Sequence, residues 1–348
     1  MKIMIYGAGA MGRGFLAPTF FKQNHDIYFV DNNLELVNEL KSRNQYKTAF
    51  SNHNGKYDIV TVDYKQAFFL GEEDKEIDNV DLICCCVGPN NVKEIAHKFT
   101  NAKTILSFEN EYESVENIKQ LSGNANCYFG VPDVITSCSS PIKLRKIDSL
   151  CLVSEYGEIA LEKGNYVLDQ KTYSLDDLIK YWNCKFYVHN APHAVVSFLG
   201  KKANYKYMHQ AMNDESIKKQ VEVIMNQIKI AMKLKGMADP DFVDYYAQKE
   251  LVRFADKQLY DPISRVSRDP LRKLKPNDRL IKSLYFIYET NQDILPMISI
   301  IKVVIDDAII NYNKKARKVL GETPTKECIL TKICKIEKDS NLYNLICK

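Results

Sequence analysis

The chain has 348 residues, of which 45% are hydrophobic and 26% charged, and its net charge is +4. At roughly 150 residues per domain this length corresponds to about two domains, and the composition excludes an intrinsically disordered chain. The small net charge argues against a nucleic-acid partner, and no apolar run is long enough to span a bilayer or to form a signal-peptide core. We therefore expect a folded, cytoplasmic protein with neither nucleic-acid nor membrane partners.

The ten cysteines follow no disulfide or zinc-site pattern. Cys84, Cys85 and Cys86 are adjacent, and no pair of cysteines has the C-x-x-C spacing typical of zinc sites. We predict reduced, mostly buried thiols and no metal site.

Short apolar segments alternate with helical stretches through the first part of the chain. This alternation is typical of buried parallel strands joined by crossover helices. The predicted strands are Lys2–Tyr6, Ile27–Val30, Asp81–Val87 and Thr104–Phe108, and the predicted helices are Phe15–Gln23 and Asn90–Phe99. The first half is therefore predicted to be an open α/β sheet of the Rossmann type.

Beyond about residue 139 the pattern changes to shorter alternating segments. The segments Leu150–Glu155 and Glu158–Glu162 predict antiparallel strands added to the sheet, and Ser174 predicts the capped start of a helix.

From about residue 193 onward the spacing of apolar residues is helical. One long helix is predicted between an N-cap at Asn213 or Asp214 and Gly236 beyond its end. Its apolar face consists of Ile217, Val221, Ile224, Ile228 and Met232. We predict a Rossmann-type domain at residues 1–182 and an all-α domain at residues 183–348, joined by a short connection near residues 180–190.

A G-x-G-x-x-G motif follows the first predicted strand directly. Gly7 permits a tight turn, Gly9 lets the backbone approach a pyrophosphate, and Gly12 lets the helix pack closely on the strand. Met11 lies inside the motif and is included in the predicted cofactor site. The motif predicts a dinucleotide site.

Asp31 ends the second predicted strand at the offset where a carboxylate accepts hydrogen bonds from the adenosine ribose. It is followed by two asparagines rather than an arginine, and its charge would repel a 2′-phosphate, so NAD is favoured over NADP. Val87 and Gly88 end a further strand and are predicted to lie close to the cofactor, although a simple turn explains Gly88 and Pro89 nearly as well.

A lysine, an amide and an imidazole lie close together in Lys185, Asn190 and His193. If a helix begins near Asn190, then Asn190 and His193 share one face, and the proline between them lies in the first turn. Together the three groups supply proton transfer, a neutral hydrogen-bond donor and an orienting contact. A surface lysine and a structural histidine are the alternative interpretation.

With these residues the chain resembles the polyol-specific long-chain dehydrogenase/reductase family. The segments that carry the resemblance are Gly7–Phe15, Glu109–Asn110, Lys185–Gly200 and Arg265–Lys282, in that order along the chain. The resemblance implies metal-independent hydride transfer between NAD and a sugar or polyol. It further implies that Lys185 is the general acid/base, that Asn110 and Asn190 donate to the reacting oxygen, and that His193 orients the substrate or the lysine.

The segment Arg265–Lys282 is the densest basic run in the chain. Its members are Arg265, Arg268, Arg272, Lys273, Arg279 and Lys282. Guanidinium groups suit phosphate, so we predict that Arg268, Arg272 and Lys273 bind a phosphorylated substrate. The resemblance implies that the substrate pair is mannitol 1-phosphate and fructose 6-phosphate, and we expect a monomer or small homo-oligomer.

The segment Val134–Ser137 lacks an acid and an arginine that the family usually has there. An unphosphorylated polyol or a sugar acid is therefore the alternative substrate. A nucleotide-binding regulator without turnover is the third interpretation.

Overall fold

The computed structural model describes residues 1–52, 55–311, 321, 324–338 and 340–347. The chain forms two compact units, Met1–Ile179 with Gln258–Tyr260, and Lys180–Lys257 with Asp261–Lys348. Residue 348, the predicted end of the second domain, lies outside the described residues. In the part of the chain that the structure describes, no helix is long and apolar enough to cross a membrane.

The first unit is built on a mixed eight-stranded sheet. Six strands, in the order β8-β7-β6-β1-β2-β5, are all parallel, and β11 joins β8 antiparallel with β12 at the edge. The strands in chain order are β1 Lys2–Tyr6, β2 Asp26–Asp31, β3 Gln45–Ser51, β4 Tyr57–Asp63, β5 Gln66–Phe69, β6 Leu82–Cys85, β7 Ile105–Ser107, β8 Cys127–Asp133, β9 Thr136–Ser137, β10 Val153–Glu155, β11 Glu158–Glu162 and β12 Lys171–Tyr173. This topology confirms the predicted Rossmann-type sheet with antiparallel additions.

Helices cover the crossovers between the parallel strands. They are α1 Ala17–Lys22, α2 Leu34–Lys41, α3 Pro89–Ile95, α4 Glu113–Ser122 and α5 Ile142–Arg145, with a π-helical turn at Gly12–Leu16 and 3-10 turns at Glu72–Lys75, Ile77–Asn79 and Ala96–Phe99. The central strands β1, β6 and β7 are apolar and almost completely buried because helices cover both faces of a parallel sheet.

The prediction for Leu150–Glu155 was wrong in its placement. The observed strand β10 does not extend the main sheet but lies inside a second sheet of order β4-β3-β10-β9, parallel to β3 and antiparallel to β9. All three of its residues are buried because it has a neighbouring strand on each side. The β3–β4 hairpin that completes this sheet was not predicted from the sequence.

The second unit is helical throughout its described residues, apart from one isolated bridge. Its α-helices are α6 Leu175–Cys184, which begins in the first unit, α7 Ala191–Lys202, α8 Met208–Met212, α9 Glu215–Leu234, α10 Pro240–Ala255, α11 Ile263–Val266, α12 Pro270–Lys273, α13 Arg279–Tyr288, α14 Leu295–Ile310, α15 Lys326–Cys328 and α16 Asn341–Cys347, with π-helical segments at Lys185–Asn190 and Ile329–Ile333. A 3-10 turn at Lys257–Leu259 begins in this unit and ends in the first. Asp214 caps α9 by accepting from the backbone N–H groups of Ser216 and Ile217. The predicted long helix, its N-cap and its buried apolar face are thus confirmed.

An α-helix begins near Asn190, as the sequence-based expectation required, since α7 starts at Ala191. Asn190 itself is the last residue of the π-helical segment Lys185–Asn190, which continues directly from α6 and leads into α7. Pro192 lies at the start of α7 and has no backbone N–H to donate. The wider π-helical turn before Pro192 accommodates the missing hydrogen bond. Residues 180–190 are therefore helical and do not form a loop.

Candidate active site

Two glycines of the G-x-G-x-x-G motif are required by the packing of the turn after β1. Gly7 has φ +97°, and a Cβ there would lie 2.5 Å from the Cys86 carbonyl oxygen. A Cβ on Gly12 would lie 2.0 Å from the Gly7 carbonyl oxygen. Around Gly9, by contrast, no atom lies within 4 Å of the Cβ position, so the backbone there faces open space. This is the arrangement that a pyrophosphate needs to approach the turn.

A pocket in the first unit brings together four of the predicted cofactor residues. Gly7, Gly9, Asp31 and Val87 line it, next to Asn32. The pocket therefore offers glycine backbone for phosphate and the Asp31 carboxylate for ribose hydroxyls, which fits a dinucleotide.

The Asp31 carboxylate is held by two backbone amides. Oδ2 accepts from the Ala8 N–H at 2.8 Å and Oδ1 from the Asn33 N–H at 2.8 Å. Each oxygen keeps a lone pair for a further donor. The side chain is thus fixed in position without losing its capacity to accept from a ribose.

Three other predicted cofactor residues do not line this pocket. Met11 packs on the hydrophobic core, and Gly12 contributes the close helix–strand packing described above. Gly88 has φ +93° and precedes α3, where its N–H donates to Glu109 at 2.9 Å.

Glu109 is a buried carboxyl for which no role was predicted. Burial raises its pKa to about 7, although hydrogen bonds from the Gly88 and Val87 N–H groups act in the opposite direction. Asn110, the next residue, is exposed in the first unit just beyond β7. Glu109 therefore holds the backbone at Val87 and Gly88 by hydrogen bonds. Asn110 is the residue of the first unit that is predicted to donate to the reacting oxygen.

The other three predicted catalytic residues lie on one continuous helical stretch of the second unit. Lys185 and Asn190 are the first and last residues of the π-helical segment, and His193 lies in the first turn of α7. All three are buried. Because a π-turn bonds residue i to residue i+5, Lys185 and Asn190 lie on the same side of the helix.

His193 is held by a buried carboxylate. Its Nε2 lies 2.9 Å from Asp261 Oδ2, and Arg265 donates to Asp261 Oδ1 at 2.7–2.8 Å. Burial lowers the pKa of His193 to about 4, with Asp261 opposing part of the effect. Burial alone would raise the pKa of Asp261, but Arg265 and His193 outweigh it and lower that pKa. The imidazole of His193 is therefore neutral at pH 7 beside an ionised carboxylate.

A second buried histidine, His189, is held by a carboxylate and an arginine in the same way as His193. His189 Nδ1 contacts Glu250 Oε2, and Arg253 pairs with the other oxygen of Glu250. The His189 and His193 rings have centroids 4.9 Å apart, and both pack against Phe254.

Most of the predicted phosphate-binding run is engaged within the protein. Arg272 and Arg279 pair with Asp278 at 2.7 and 2.9 Å, in addition to the Arg265–Asp261 pair. Lys273 is buried and donates to the Arg268 carbonyl oxygen. Burial, with the charges of Arg279 and Arg272, lowers the pKa of Lys273 to about 7.

Arg268 differs from these residues. It is exposed, and no ion pair in the described part of the chain involves its guanidinium. Lys282 lies over the rings of Trp182 and Phe186 at 5.7 and 5.1 Å. The described residues contain no group of three or more His, Cys, Asp and Glu side chains that could hold a metal ion.

A parallel Rossmann-type sheet with a glycine-rich turn after β1 is typical of dehydrogenases that use a nicotinamide dinucleotide. Family models agree, because residues 1–114 match the mannitol dehydrogenase Rossmann domain and residues 177–317 match the mannitol dehydrogenase C-terminal domain. The chain belongs to the mannitol dehydrogenase family.

Curated relatives with the name mannitol-1-phosphate 5-dehydrogenase align over most of the chain. The protein from Mycoplasmopsis pulmonis is 30% identical, over 91% of this chain and 88% of its own. The protein from Thermoanaerobacter pseudethanolicus is 28% identical, over 83% of this chain and 81% of its own.

Solved structures share the fold at low sequence identity. Pseudomonas fluorescens mannitol 2-dehydrogenase, in a ternary complex with NAD and D-mannitol, has a TM-score of 0.73 at 13% identity and covers 95% of this chain and 83% of its own. A substrate-free D-sorbitol dehydrogenase has a TM-score of 0.69 at 14% identity, over 99% of this chain and 91% of its own.

Proposed function

We propose that this protein interconverts mannitol 1-phosphate and fructose 6-phosphate by NAD-dependent, metal-independent hydride transfer. The observation that carries the proposal is the alignment with mannitol-1-phosphate 5-dehydrogenases over at least four-fifths of both chains. The buried Lys185, Asn190 and His193 on one helical stretch support it, because a protein without turnover has no need of a buried lysine beside an amide and an imidazole.

NAD rather than NADP is the proposed cofactor. The Asp31 carboxylate lines the pocket, and it would repel a 2′-phosphate while accepting from ribose hydroxyls. Asn32 follows it, so no cation adjoins the carboxylate in sequence. Bound NAD supplies the hydride acceptor.

In the proposed mechanism Lys185 takes the hydroxyl proton during alcohol oxidation and returns it during ketone reduction. Its amine must be neutral to act as the base, and burial of the side chain favours that neutral form. Asn190 and Asn110 donate hydrogen bonds to the reacting oxygen as negative charge develops on it. His193, fixed by Asp261, orients the substrate or the lysine.

The phosphate group is assigned to Arg268 and Lys273. Arg268 is exposed, and the pKa of Lys273 is lowered to about 7 by burial and by two neighbouring arginines. A dianion beside Lys273 would favour its charged form and relieve this repulsion. Arg272 takes a smaller part than the sequence suggested because it pairs with Asp278.

Cytoplasmic residence and a monomer or small homo-oligomer complete the proposal. No disulfide joins the ten cysteines, and Cys84, Cys85 and Cys127 are buried within strands. Buried reduced thiols are typical of a reducing compartment.

The decisive experiment compares NADH oxidation with fructose 6-phosphate, fructose and a uronate under the same conditions. We expect kcat/KM for fructose 6-phosphate to exceed that for fructose by at least about 10²-fold, as expected for charge-assisted hydrogen bonds to the phosphate. Comparable rates on fructose or the uronate would favour an unphosphorylated polyol or sugar acid. That second candidate is supported by the pairing of three arginines of the run with Asp261 and Asp278. No turnover on any substrate would favour a nucleotide-binding regulator.

A further inference from the structure

Two neighbouring histidines in the second unit are each held by a buried carboxylate that is itself paired with an arginine. His189 contacts Glu250, which pairs with Arg253, and His193 contacts Asp261, which pairs with Arg265. Glu250 is completely buried, and Arg253 is 4% exposed. Only the His193 system contains a residue that the sequence indicated.

The chemistry of these contacts determines where the ring hydrogens lie. An ionised carboxylate can only accept hydrogen bonds, so the ring nitrogen that contacts it must carry the hydrogen. Burial lowers the pKa of His193 to about 4, so its ring is neutral at pH 7. His189 is inferred to be neutral as well, because its carboxylate partner Glu250 is likewise paired with an arginine.

The two histidines then have opposite tautomers. His189 uses Nδ1 toward Glu250, so Nδ1 carries the hydrogen and Nε2 carries a lone pair. His193 uses Nε2 toward Asp261, so its lone pair is on Nδ1. Phe254 holds the rings in place, since it stacks on His193 at 5.0 Å with an interplanar angle of 10° and packs on His189 at 5.4 Å.

We propose that Glu250, supported by Arg253, is a positioning residue that fixes His189 so that its Nε2 accepts a hydrogen bond from the Lys185 side chain. The proposal rests on the catalytic role of Lys185 proposed above. It assigns a function to His189 and Glu250, which lie 61 positions apart and belong to different helices.

The helix geometry supports this contact. Lys185 and His189 are four residues apart in the π-helical segment, in which one turn spans between four and five residues, so their side chains leave the same side of the helix. Lys185 is 7% exposed, and a buried ammonium needs acceptors for its three N–H groups. A lone pair on His189 supplies one of them and stabilises the ammonium at the moment when Lys185 has taken the substrate proton.

A spectroscopic experiment tests the tautomers directly. The chain contains six histidines, so labelling with [15N]histidine gives few signals, and a His189→Gln and a His193→Gln variant assign the two of interest. We expect His189 to show hydrogen on Nδ1 and His193 on Nε2 at pH 7. The same tautomer for both, or a doubly protonated His189, would overturn the proposal.

A second experiment tests the effect on catalysis with fructose 6-phosphate and NADH as probes. The double variant Glu250→Leu/Arg253→Met removes both partners of the ion pair, so that neither charge is left buried without the other. We expect kcat to fall at least about 10-fold with both KM values within about twofold, because lysine positioning acts on the chemical step. An unchanged kcat would reduce Glu250 to a structural role, and a raised KM with normal kcat would make His189 a substrate contact. Either result refutes the proposal.

Single variants separate positioning from stability. His189→Gln keeps an acceptor near the Nε2 position and should retain most of the kcat that His189→Leu loses. Asp244→Asn is the matched control on α10, since it weakens the half-buried ion pairs with Lys229 and Lys233 and should leave kcat unchanged. If Lys185→Ala itself retains near-normal turnover, the proposed catalytic role of Lys185 fails, whereas the histidine spectra still report whether the tautomers are as assigned.

Discussion

The carboxylate of Asp31 has two roles, which the Tm and the cofactor preference of a variant report separately. It anchors the backbone N–H groups of Ala8 and Asn33, and it places a negative charge in the dinucleotide pocket. Asp31→Asn keeps one acceptor oxygen for the backbone, places an NH2 donor against the other backbone N–H and removes the charge. We expect the ratio of kcat/KM for NADH to that for NADPH to fall at least about 10-fold, and the Tm to fall because one of the two hydrogen bonds is lost. A wild-type enzyme that uses NADPH as efficiently as NADH would contradict the assignment of NAD.

The buried lysine at position 185 is the proposed proton-transfer group, since the neighbouring amides cannot accept a proton at neutral pH. Lys185→Ala should lower kcat by about 10²–10⁴ and leave the affinity for NADH nearly unchanged. Steady-state rates and NADH fluorescence titration measure the two quantities. Lys180→Ala, at an exposed position of α6, is the control and should behave as wild type. Near-normal turnover of Lys185→Ala would show that the lysine is structural.

The spacing of residues in the sequence predicts some residues of the candidate site but not their partners. The glycines, Asp31 and the set of Lys185, Asn190 and His193 lie close enough in sequence for a pattern to predict them. The partners of the histidines do not, because Asp261 follows His193 by 68 positions. The buried state of Glu109 likewise depends on the fold around it and not on its neighbours in sequence.

At the scale of the βα turn, two glycines of one motif should respond differently to the same substitution. Gly9→Ala meets no protein atom, so the fold should keep its Tm while the affinity for NADH falls at least about 10-fold. Gly12→Ala places a Cβ 2.0 Å from the Gly7 carbonyl oxygen and should lower the stability of the first unit by about 1–3 kcal/mol. Thermal unfolding and NADH titration of both variants test this pair. Equal loss of Tm in both would mean that Gly9 is also required by packing.

The segment from α11 to α13 makes a prediction about phosphate recognition. Arg268→Ala and Lys273→Met should each reduce the preference for fructose 6-phosphate over fructose at least about 10-fold, with fructose activity nearly unchanged. Arg272→Ala should mainly lower Tm, because it leaves Asp278 with one arginine fewer. The ratio of kcat/KM for the two ketoses measures the preference. If only Arg272→Ala changes this ratio, the phosphate assignment moves to Arg272.

The sequence predicts regular elements whose apolar residues follow one period. It does not predict features that depend on tertiary packing, such as the sheet that a strand joins. The parallel strands β1, β6 and β7 are short apolar runs, and the amphipathic helix α9 has a uniform spacing and a clear N-cap. The segment Val153–Glu155 also reads as a strand, but nothing local specifies that it joins the second sheet. The π-helical segment before Pro192 could not be predicted either, because the composition of a π-helical segment does not differ from that of an α-helix.

Across the whole molecule, two buried groups make stability depend on pH in opposite directions. Burial raises the pKa of Glu109 in the first unit to about 7, so folding retains a proton that the unfolded chain releases above its ordinary pKa of 4.5. Its contribution is therefore full at low pH and lost as the pH rises toward 7. Burial lowers the pKa of His193 in the second unit from 6.5 to about 4, so its contribution is present above pH 6.5 and lost as the pH falls toward 4.

As the pH rises, the contribution of Glu109 to the stability of the first unit should therefore be lost between about pH 4.5 and pH 7. The contribution of His193 to the stability of the second unit should be gained between about pH 4 and pH 6.5. Hydrogen exchange in urea, resolved by peptides of each unit at pH 5 and pH 8, separates the two responses, which a single unfolding curve would merge. Glu109→Gln keeps the acceptor for the Gly88 N–H and should raise the stability of the first unit at pH 8 by on the order of 1–3 kcal/mol, with no gain at pH 5. His193→Gln keeps a donor toward Asp261 and should flatten only the response of the second unit. A first unit whose wild-type stability rises from pH 5 to pH 8, and which Glu109→Gln leaves unchanged at pH 8, would show that Glu109 is ionised in the folded protein without cost.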